Sequence, residues 1–200
     1  MDSLNRALFL AINASPNVSE GELAVAVFLA KYLILLLPVG LVTLWLAGGR
    51  DRESAVHSLL GVGLVLLVNG LIGLAWFEPR PFAVGVGTQL LAHAPTSAFP
   101  SNHASIMFTS AFVLMGTAAR TPRLLGRLLL ICALPVCWAR IYLGVHWPLD
   151  MLGALAVSMV VALVMRTAGA RETSRIVAAI LEGVYRRLMA WPIARGWLRR

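Results

Sequence analysis

The segment AFPSNH, residues 98–103, is the stretch from which the rest of the chain is interpreted. It opens an apolar run, Ala104 to Met115, that is long enough to enter a membrane as a helix. Ser101 and His103 therefore stand at the amino-terminal end of a predicted helix. Free backbone N–H groups and the helix dipole favour an anion at that position.

The composition predicts a membrane protein. Of the 200 residues, 59% are hydrophobic and only 13% are charged, which is far too apolar for a soluble domain of this size. The net charge of +8 would suggest nucleic acid binding in a soluble protein, but the arginines lie mostly between apolar runs. They predict orientation in the bilayer and contact with anionic membrane lipids, with no nucleic acid partner.

Five apolar runs predict an all-α fold, a polytopic transmembrane bundle of five to six membrane helices. The runs cover residues 23–46, 54–77, 103–117, 124–143 and 148–165. Residues 1–14 and the basic tail, residues 171–200, carry apolar side chains at helical spacing and predict amphipathic surface helices. We expect residues 1–170 to form the membrane-embedded domain and residues 171–200 a cytoplasmic tail.

The positions of the arginines predict the orientation of the bundle. The loop 48–53, the segment 120–127 and the tail are basic, and they share one side if each run crosses once. The positive-inside tendency makes that side cytoplasmic. The segment 78–102 and the turn 143–147 then lie outside, together with every candidate site residue that they carry.

Several polar residues near the ends of the runs suit phosphoryl transfer, which needs cations and N–H donors around the phosphate oxygens. Arg80 and Arg140 can give bidentate guanidinium contacts. Ser101 and the N–H groups near Asn102 and His103 can act as neutral donors.

The same chemistry needs a nucleophile and an acid. His146 and Asp150 are four residues apart, and they approach each other on one face if Pro148 opens a helix. A carboxylate that holds one imidazole nitrogen leaves the other nitrogen free as a nucleophile. His103 is then the candidate general acid.

Each of these residues also has a structural interpretation. Arg80 and Arg140 could anchor helix ends at the membrane interface. Ser101 and His103 could cap a helix, and the histidine–aspartate pair could be purely structural. The coincidence of all these features on one predicted face favours the functional interpretation.

Two further charged residues have more than one interpretation. Lys31 lies inside the first run, where a lysine is costly and usually functional. It could supply charge to a phosphate, or it could pair with Glu22 or Glu78. Glu78 itself could orient one of the arginines, take part in proton transfer, or mark the water interface.

Taken in order, the motifs resemble the signature of a known family. Arg80-Pro81, Pro100-Ser101-Asn102-His103, and then Arg140, His146 and Asp150 resemble the three-part signature of the type 2 phosphatidic acid phosphatase superfamily. The small size and the segments FLAKY, residues 28–32, and EPRPF, residues 78–82, resemble the bacterial undecaprenyl-diphosphatases of the bacitracin-resistance type.

The resemblance implies a role for each motif residue. His146 would become a phosphohistidine, Asp150 would orient it, and His103 would protonate the leaving group. The phosphate would be bound by Arg80, Ser101 and Arg140, with no metal ion or other cofactor.

The same resemblance implies that the substrate is a polyprenyl diphosphate lipid in the bacterial inner membrane. The enzyme would convert undecaprenyl diphosphate to undecaprenyl phosphate and phosphate at the outer face, which recycles the carrier lipid for cell-wall synthesis. The alternative is a phosphatase or phosphotransferase for phosphatidylglycerophosphate, diacylglycerol pyrophosphate or lipid A. A rival from another class is a non-catalytic membrane protein, such as a lipid transporter.

The chain departs from the family pattern at two positions. The first motif usually begins with a lysine seven residues before its arginine, and Gly73 stands there. The third motif usually opens with serine, and Ala139 stands there. Lys31 is the candidate to replace the missing cation.

Overall fold

The computed structural model describes residues 3–198, and every regular element in that range is helical. The α-helices are α1 (Ser3–Ile12), α2 (Glu20–Lys31), α3 (Leu36–Ala47), α4 (Arg50–Ala75), α5 (Asn102–Met115), α6 (Arg120–Tyr142), α7 (Pro148–Met165), α8 (Ala168–Leu188) and α9 (Ala190–Ala194). Short 3₁₀ turns cover Leu33–Leu35 and Pro81–Val84. The predicted terminal helices are present, although residues 1, 2, 199 and 200 lie outside the described residues. The all-helical prediction is confirmed.

Four helical segments are long and apolar enough to cross a membrane: Glu20–Ala47, which joins α2 and α3, and the single helices α4, α6 and α7. Helix α5 has 14 residues and thus a length of about 21 Å, which is less than the roughly 30 Å of a hydrocarbon core. The predicted third run is therefore a short helix, and most of its residues are buried among the longer ones.

Helix α5 is the centre of the bundle and packs against α4, α6 and α7. A side chain at Gly126 of α6 would meet the carbonyl oxygen of Ala111 at 2.8 Å, so glycine lets the two backbones approach closely. Polar side chains join the helices nearer the start of α5. Asn69 of α4 donates to Ser105 Oγ at 2.9 Å, and Ser158 of α7 donates to the Ser105 carbonyl at 3.1 Å.

The connection between α4 and α5, residues 76–101, folds back over one end of the bundle. Asn13, just after α1, donates to the carbonyls of Thr88 and Tyr142, both at 3.0 Å, and accepts from Thr88 N–H at 2.7 Å. Gly144 turns the chain between α6 and α7 with φ of 77°, and a Cβ there would collide with the Thr88 carbonyl. The connection and the turn are therefore held together, and this contact shapes the end of the bundle where the polar motifs lie.

The basic segments share the opposite end, where α8 packs on α4. Arg52 is 2% exposed, and its guanidinium lies 2.7 Å from Glu182 Oε1. The same guanidinium lies against the rings of Trp45 and Tyr185, 5.5 and 4.7 Å from their centroids, and the two rings contact each other edge to face. Arg52 thus attaches the tail helix to the membrane helices.

We expect Arg52→Ala to loosen α8, because Glu182 loses its buried partner and the two aromatic rings lose the cation beside them. Breaking a buried ion pair costs several kcal/mol, and the partial exposure of Glu182 reduces this to about 1–3 kcal/mol. Amide hydrogen exchange across residues 176–188 should accelerate roughly tenfold or more, as followed by mass spectrometry.

The matched control is Arg186→Ala. Arg186 contacts the same carboxylate at 2.9 Å but is 56% exposed, so its loss should change exchange little. Equal exchange rates in the two variants would show that Arg52 does not anchor the helix.

Candidate active site

Four residues from the three sequence motifs meet at the end of the bundle where α5 and α7 begin. Nε2 of His146 lies 3.1 Å from a terminal nitrogen of Arg80 and 3.4 Å from Ser101 Oγ. On the other side of the ring, Nδ1 lies 2.9 Å from Asp150 Oδ2. The Ser101 N–H also donates to the Asp150 carbonyl at 3.2 Å, which joins the starts of the two helices.

The buried pair of His146 and Asp150 defines the state of the imidazole. Asp150 caps α7, because its Oδ2 also accepts the Trp147 N–H at 2.8 Å. A carboxylate can only accept, so Nδ1 of His146 is assigned as the protonated nitrogen. Nε2 then carries the lone pair, which accepts from Arg80 at 3.1 Å, and Ser101 Oγ lies 3.4 Å away.

Burial lowers the pKa of His146 well below its usual value of 6.5, and the neighbouring charges of Arg140 and Arg80 lower it further. His93 and His103 act in the same direction when they are charged. A lowered pKa favours the neutral imidazole, and the neutral ring is the form that attacks phosphorus.

Arg80 is held rigidly by carbonyl oxygens. It is 5% exposed and donates to the carbonyls of Thr96, Ser97 and Val145 at 3.0, 3.1 and 2.8 Å. A buried guanidinium with these partners does not extend to the membrane interface, so the anchor interpretation fails for Arg80. Its position next to His146 is set by the connection 76–101 and by the turn after α6.

Arg140 is as deeply buried as Arg80 but lacks comparable partners. It lies in the last turn of α6 and is 3% exposed. Within residues 3–198 its Nε and one terminal nitrogen, Nη2, have no hydrogen-bond acceptor. Buried N–H donors without partners are costly, and they are costlier on a charged group. These two donors, on a cation whose charge acts on His146, are therefore available for an anion.

The start of α5 supplies the remaining motif residues. Ser101 occupies the cap position, but its side chain makes no capping bond and faces His146 instead. His103 follows in the first turn, half-buried. Asn102 is exposed, and its Oδ1 accepts from Asn69 of α4 at 2.9 Å, so its side chain is committed to another helix.

Lys31 and Glu78 are not joined to this cluster by any ion pair. Lys31 is exposed at the end of α2, and neither of its expected partners, Glu22 and Glu78, contacts it within the described part of the chain. Glu78 is half-buried where the connection leaves α4. Its backbone bonds to Ser97 Oγ and Ala98 N–H at 3.2 and 2.7 Å.

The structure places one further residue, His93, beside His146. Its ring centroid lies 6.2 Å from that of His146, and its Nδ1 lies 2.9 Å from the Ala94 carbonyl. Burial lowers the pKa of His93, the Ala94 carbonyl partly opposes this, and the nearby arginines lower it further. His93 belongs to no motif and lies in an irregular loop, so no sequence periodicity marks it.

The arrangement is equipped to hold an anion against a neutral imidazole. Arg140 and Ser101 present donors, and Arg80 contributes its positive charge while its own N–H groups are bonded within the protein. His146 presents Nε2, and Asp150 lies behind the ring. Among residues 3–198 no three histidine, cysteine, aspartate or glutamate side chains are grouped as ligands for a metal ion.

Comparison with known proteins identifies the family. The PAP2 superfamily pattern matches residues 54–174, a range that contains every motif residue named above. The chain is 34% identical to the "Putative undecaprenyl-diphosphatase YbjG" of Escherichia coli (strain K12), covering 100% of this chain and 99% of that protein. It is 30% identical to undecaprenyl-diphosphatase BcrC of Bacillus subtilis (strain 168), covering 79% of this chain and 80% of the relative.

Solved structures show the same fold. The crystal structure of Aquifex aeolicus LpxE superposes with a TM-score of 0.66 over 82% of this chain and 95% of that one, at 21% identity. The resemblance expected from the three motifs is confirmed, and the chain belongs to the PAP2 superfamily.

Proposed function

We propose that this chain is a lipid diphosphate phosphatase that hydrolyses undecaprenyl diphosphate to undecaprenyl phosphate and phosphate. The names of its relatives in Escherichia coli and Bacillus subtilis support this substrate. The observation that carries the proposal is the pair of unpartnered, buried donors on Arg140, a cation that acts electrostatically on His146. A terminal phosphate would satisfy these donors and stand in front of Nε2.

The reaction follows from the position of each group. Nε2 of His146 attacks the terminal phosphorus, a P–N bond forms, and the bond from phosphorus to the bridging oxygen breaks in line with it. His103 gives its proton to the departing undecaprenyl phosphate oxygen. Asp150 stabilises the cationic phosphoimidazole. Water then attacks the phosphorus, phosphate leaves, and the proton from that water restores His103.

The two arginines divide the electrostatic work. Arg80 is held in place before substrate arrives, so its contribution needs no reorganisation. The two unpartnered N–H groups of Arg140 would form charge-assisted hydrogen bonds with the phosphate. Part of the stabilisation that Arg140 gives therefore appears only when the phosphate binds. Ser101 Oγ and the backbone N–H at Asn102 add neutral donors at the start of α5.

The arginine distribution supports the orientation proposed for the bundle. The buried arginines at the site end, Arg80 and Arg140, both belong to the motifs. At the other end, α8 and the segments that pack near it are basic. By the positive-inside tendency the site faces the periplasm or the exterior of a bacterial inner membrane. Residues 171–200 then form a cytoplasmic tail, and the isoprenoid chain lies between helices.

Lys31 is proposed to replace the lysine missing at Gly73. Its neighbour Ala30 packs in one cluster with Ala139, which precedes Arg140. The exposed ammonium would therefore reach the diphosphate from outside the buried cluster, as a flexible point charge. Glu78, which lies two residues before Arg80, is proposed to orient the arginines.

The first test measures phosphate release from undecaprenyl diphosphate by purified protein in the presence of a chelator. Wild-type protein should release phosphate, and His146→Ala and His146→Gln should lose roughly 10⁴-fold or more because the nucleophile is absent. Unchanged melting temperatures of the variants show that the fold survives. Normal turnover in either variant would overturn the nucleophile assignment.

A lipid panel in the same assay separates the alternatives. Faster release from phosphatidylglycerophosphate, diacylglycerol pyrophosphate or lipid A would replace the proposed substrate, and phosphate transferred to a second lipid would identify a phosphotransferase. No turnover on any lipid would favour a non-catalytic protein.

The second test uses inorganic phosphate as the probe of Arg140. Phosphate at about 100 times its dissociation constant stabilises a protein by about 2.7 kcal/mol, so it should raise the melting temperature of the wild type. Arg140→Gln should abolish this shift. Arg127→Gln, an exposed arginine near the other end of α6, should keep it, and equal loss in both would point to non-specific anion binding.

The third test addresses Lys31. We expect Lys31→Met to raise KM for undecaprenyl diphosphate several-fold with a smaller change in kcat, because a charge on the distal phosphate mainly assists binding. Lys31→Arg keeps the charge and should stay near the wild type. Full turnover with unchanged affinity in Lys31→Met would show that the missing cation is not replaced by Lys31.

A further inference from the structure

A second polar cavity lies at the end of the bundle opposite His146. Helices α5 and α7 carry site residues in their first turns, and their last turns reach this cavity. Its volume is about 280 Å³, and α4 and α8 complete its walls. The charged or titratable residues that line it are Arg50, Glu53, His57, Arg166, Arg171 and Arg175.

The cavity has a surplus of positive charge. Arg175 Nε contacts Glu53 Oε1 at 3.1 Å, which uses up the one acidic residue in the lining. The guanidinium groups of Arg50, Arg166 and Arg171 make no ion pair or hydrogen bond with any part of the chain that the structure describes. Three free cations on three different helical ends face one space, and such a space attracts an anion.

An apolar groove lies between α4 and α7, two of the helices that wall the cavity. It has a volume of about 370 Å³ and is lined by Leu64 and Val68 of α4 and by Val157, Val160 and Val164 of α7. Val164 lines the groove, and Arg166, two residues later, lines the cavity. Val160 is 60% exposed, so the groove opens towards the hydrocarbon around the bundle.

We propose that the cavity and the groove together bind one anionic phospholipid of the bilayer. Its phosphate lies among Arg50, Arg166 and Arg171, and one acyl chain lies in the groove between α4 and α7. A lipid fits better than a soluble anion because the cations stand at the ends of membrane helices, two of which also line an apolar groove. The bound lipid joins α8 to α4 and α7.

This site is separate from the catalytic one. The length of α5, about 21 Å, lies between them, and no residue is shared. The proposal therefore does not depend on which lipid phosphate is hydrolysed at His146, and it is tested by binding and not by turnover.

The experiment titrates the purified full chain in detergent with phosphatidylglycerol or phosphatidylcholine and counts bound lipids by native mass spectrometry. Phosphatidylglycerol should bind more tightly. Since each arginine near a lipid surface contributes roughly fivefold, the triple variant Arg50→Gln, Arg166→Gln, Arg171→Gln should weaken its binding by roughly a hundredfold.

The control variant Arg120→Gln, Arg123→Gln, Arg127→Gln removes the same charge from exposed arginines outside the cavity. It should retain phosphatidylglycerol binding, and melting temperatures verify the fold of both triple variants. An equal loss in the two would mean that only the general surface charge matters, which overturns the site.

The groove has its own test. Val160→Trp fills the groove and should weaken phosphatidylglycerol binding several-fold, whereas Met159→Trp, exposed on the same helix outside the groove, should not. Glycerol phosphate, which has the anion without the chain, should compete poorly. Strong competition by glycerol phosphate, or no effect of Val160→Trp, would show a soluble-anion site and overturn the lipid proposal.

Discussion

The structure depends on placing two guanidinium groups and one neutral imidazole together in a space from which water is largely excluded. Arg80 and Arg140 are both nearly fully buried, and neither forms an ion pair with a carboxylate in the described residues. The nearby carboxylate, Asp150, is committed to His146 and to the cap of α7. Burying a cation without a carboxylate partner costs free energy. Carbonyl oxygens offset this cost for Arg80 but leave two N–H groups of Arg140 without acceptors. The cost remaining on Arg140 is recovered when an anion arrives.

The fold brings these groups together through the directions of its helices. Helices α4 and α6 end where α5 and α7 begin, so the connection 76–101 and the turn 143–147 meet at one end. Asn13 and Gly144 then fix the connection against the turn. Because the short α5 is buried between longer helices, Ser101 at its start is fully buried inside the bundle. A site that excludes water follows from that depth.

The sequence predicted the helices and the His146–Asp150 pair because both rest on local spacing. Arg80 and Ser101 are 66 and 45 residues from His146, so their grouping with it followed from the predicted helix directions and the family resemblance. His146 and Asp150 are one helical turn apart, and Pro148 with Asp150 marks the start of α7. The outcomes for α5, His93 and Lys31 rest on tertiary packing. The length of α5 alone does not show that the helix is buried, and His93 is positioned by an irregular loop. On α2, the residue that packs against α6 is Ala30, and the adjacent Lys31 is left exposed. None of these leaves a periodic signal.

The two departures from the family pattern have physical consequences at the site. A side chain at Gly73 would meet Ser97 Cβ at 3.3 Å, and the Ser97 carbonyl holds Arg80. A lysine side chain there would have to extend past Ser97 along the connection 76–101. Glycine therefore removes a cation and leaves the carbonyl oxygens around Arg80 undisturbed. Ala139 is buried in an apolar cluster, and it offers no donor to Arg140 or to a phosphate. In the proposed function the remaining cations therefore carry a larger share of the diphosphate charge, and the unpartnered nitrogens of Arg140 become the group on which phosphate binding depends most.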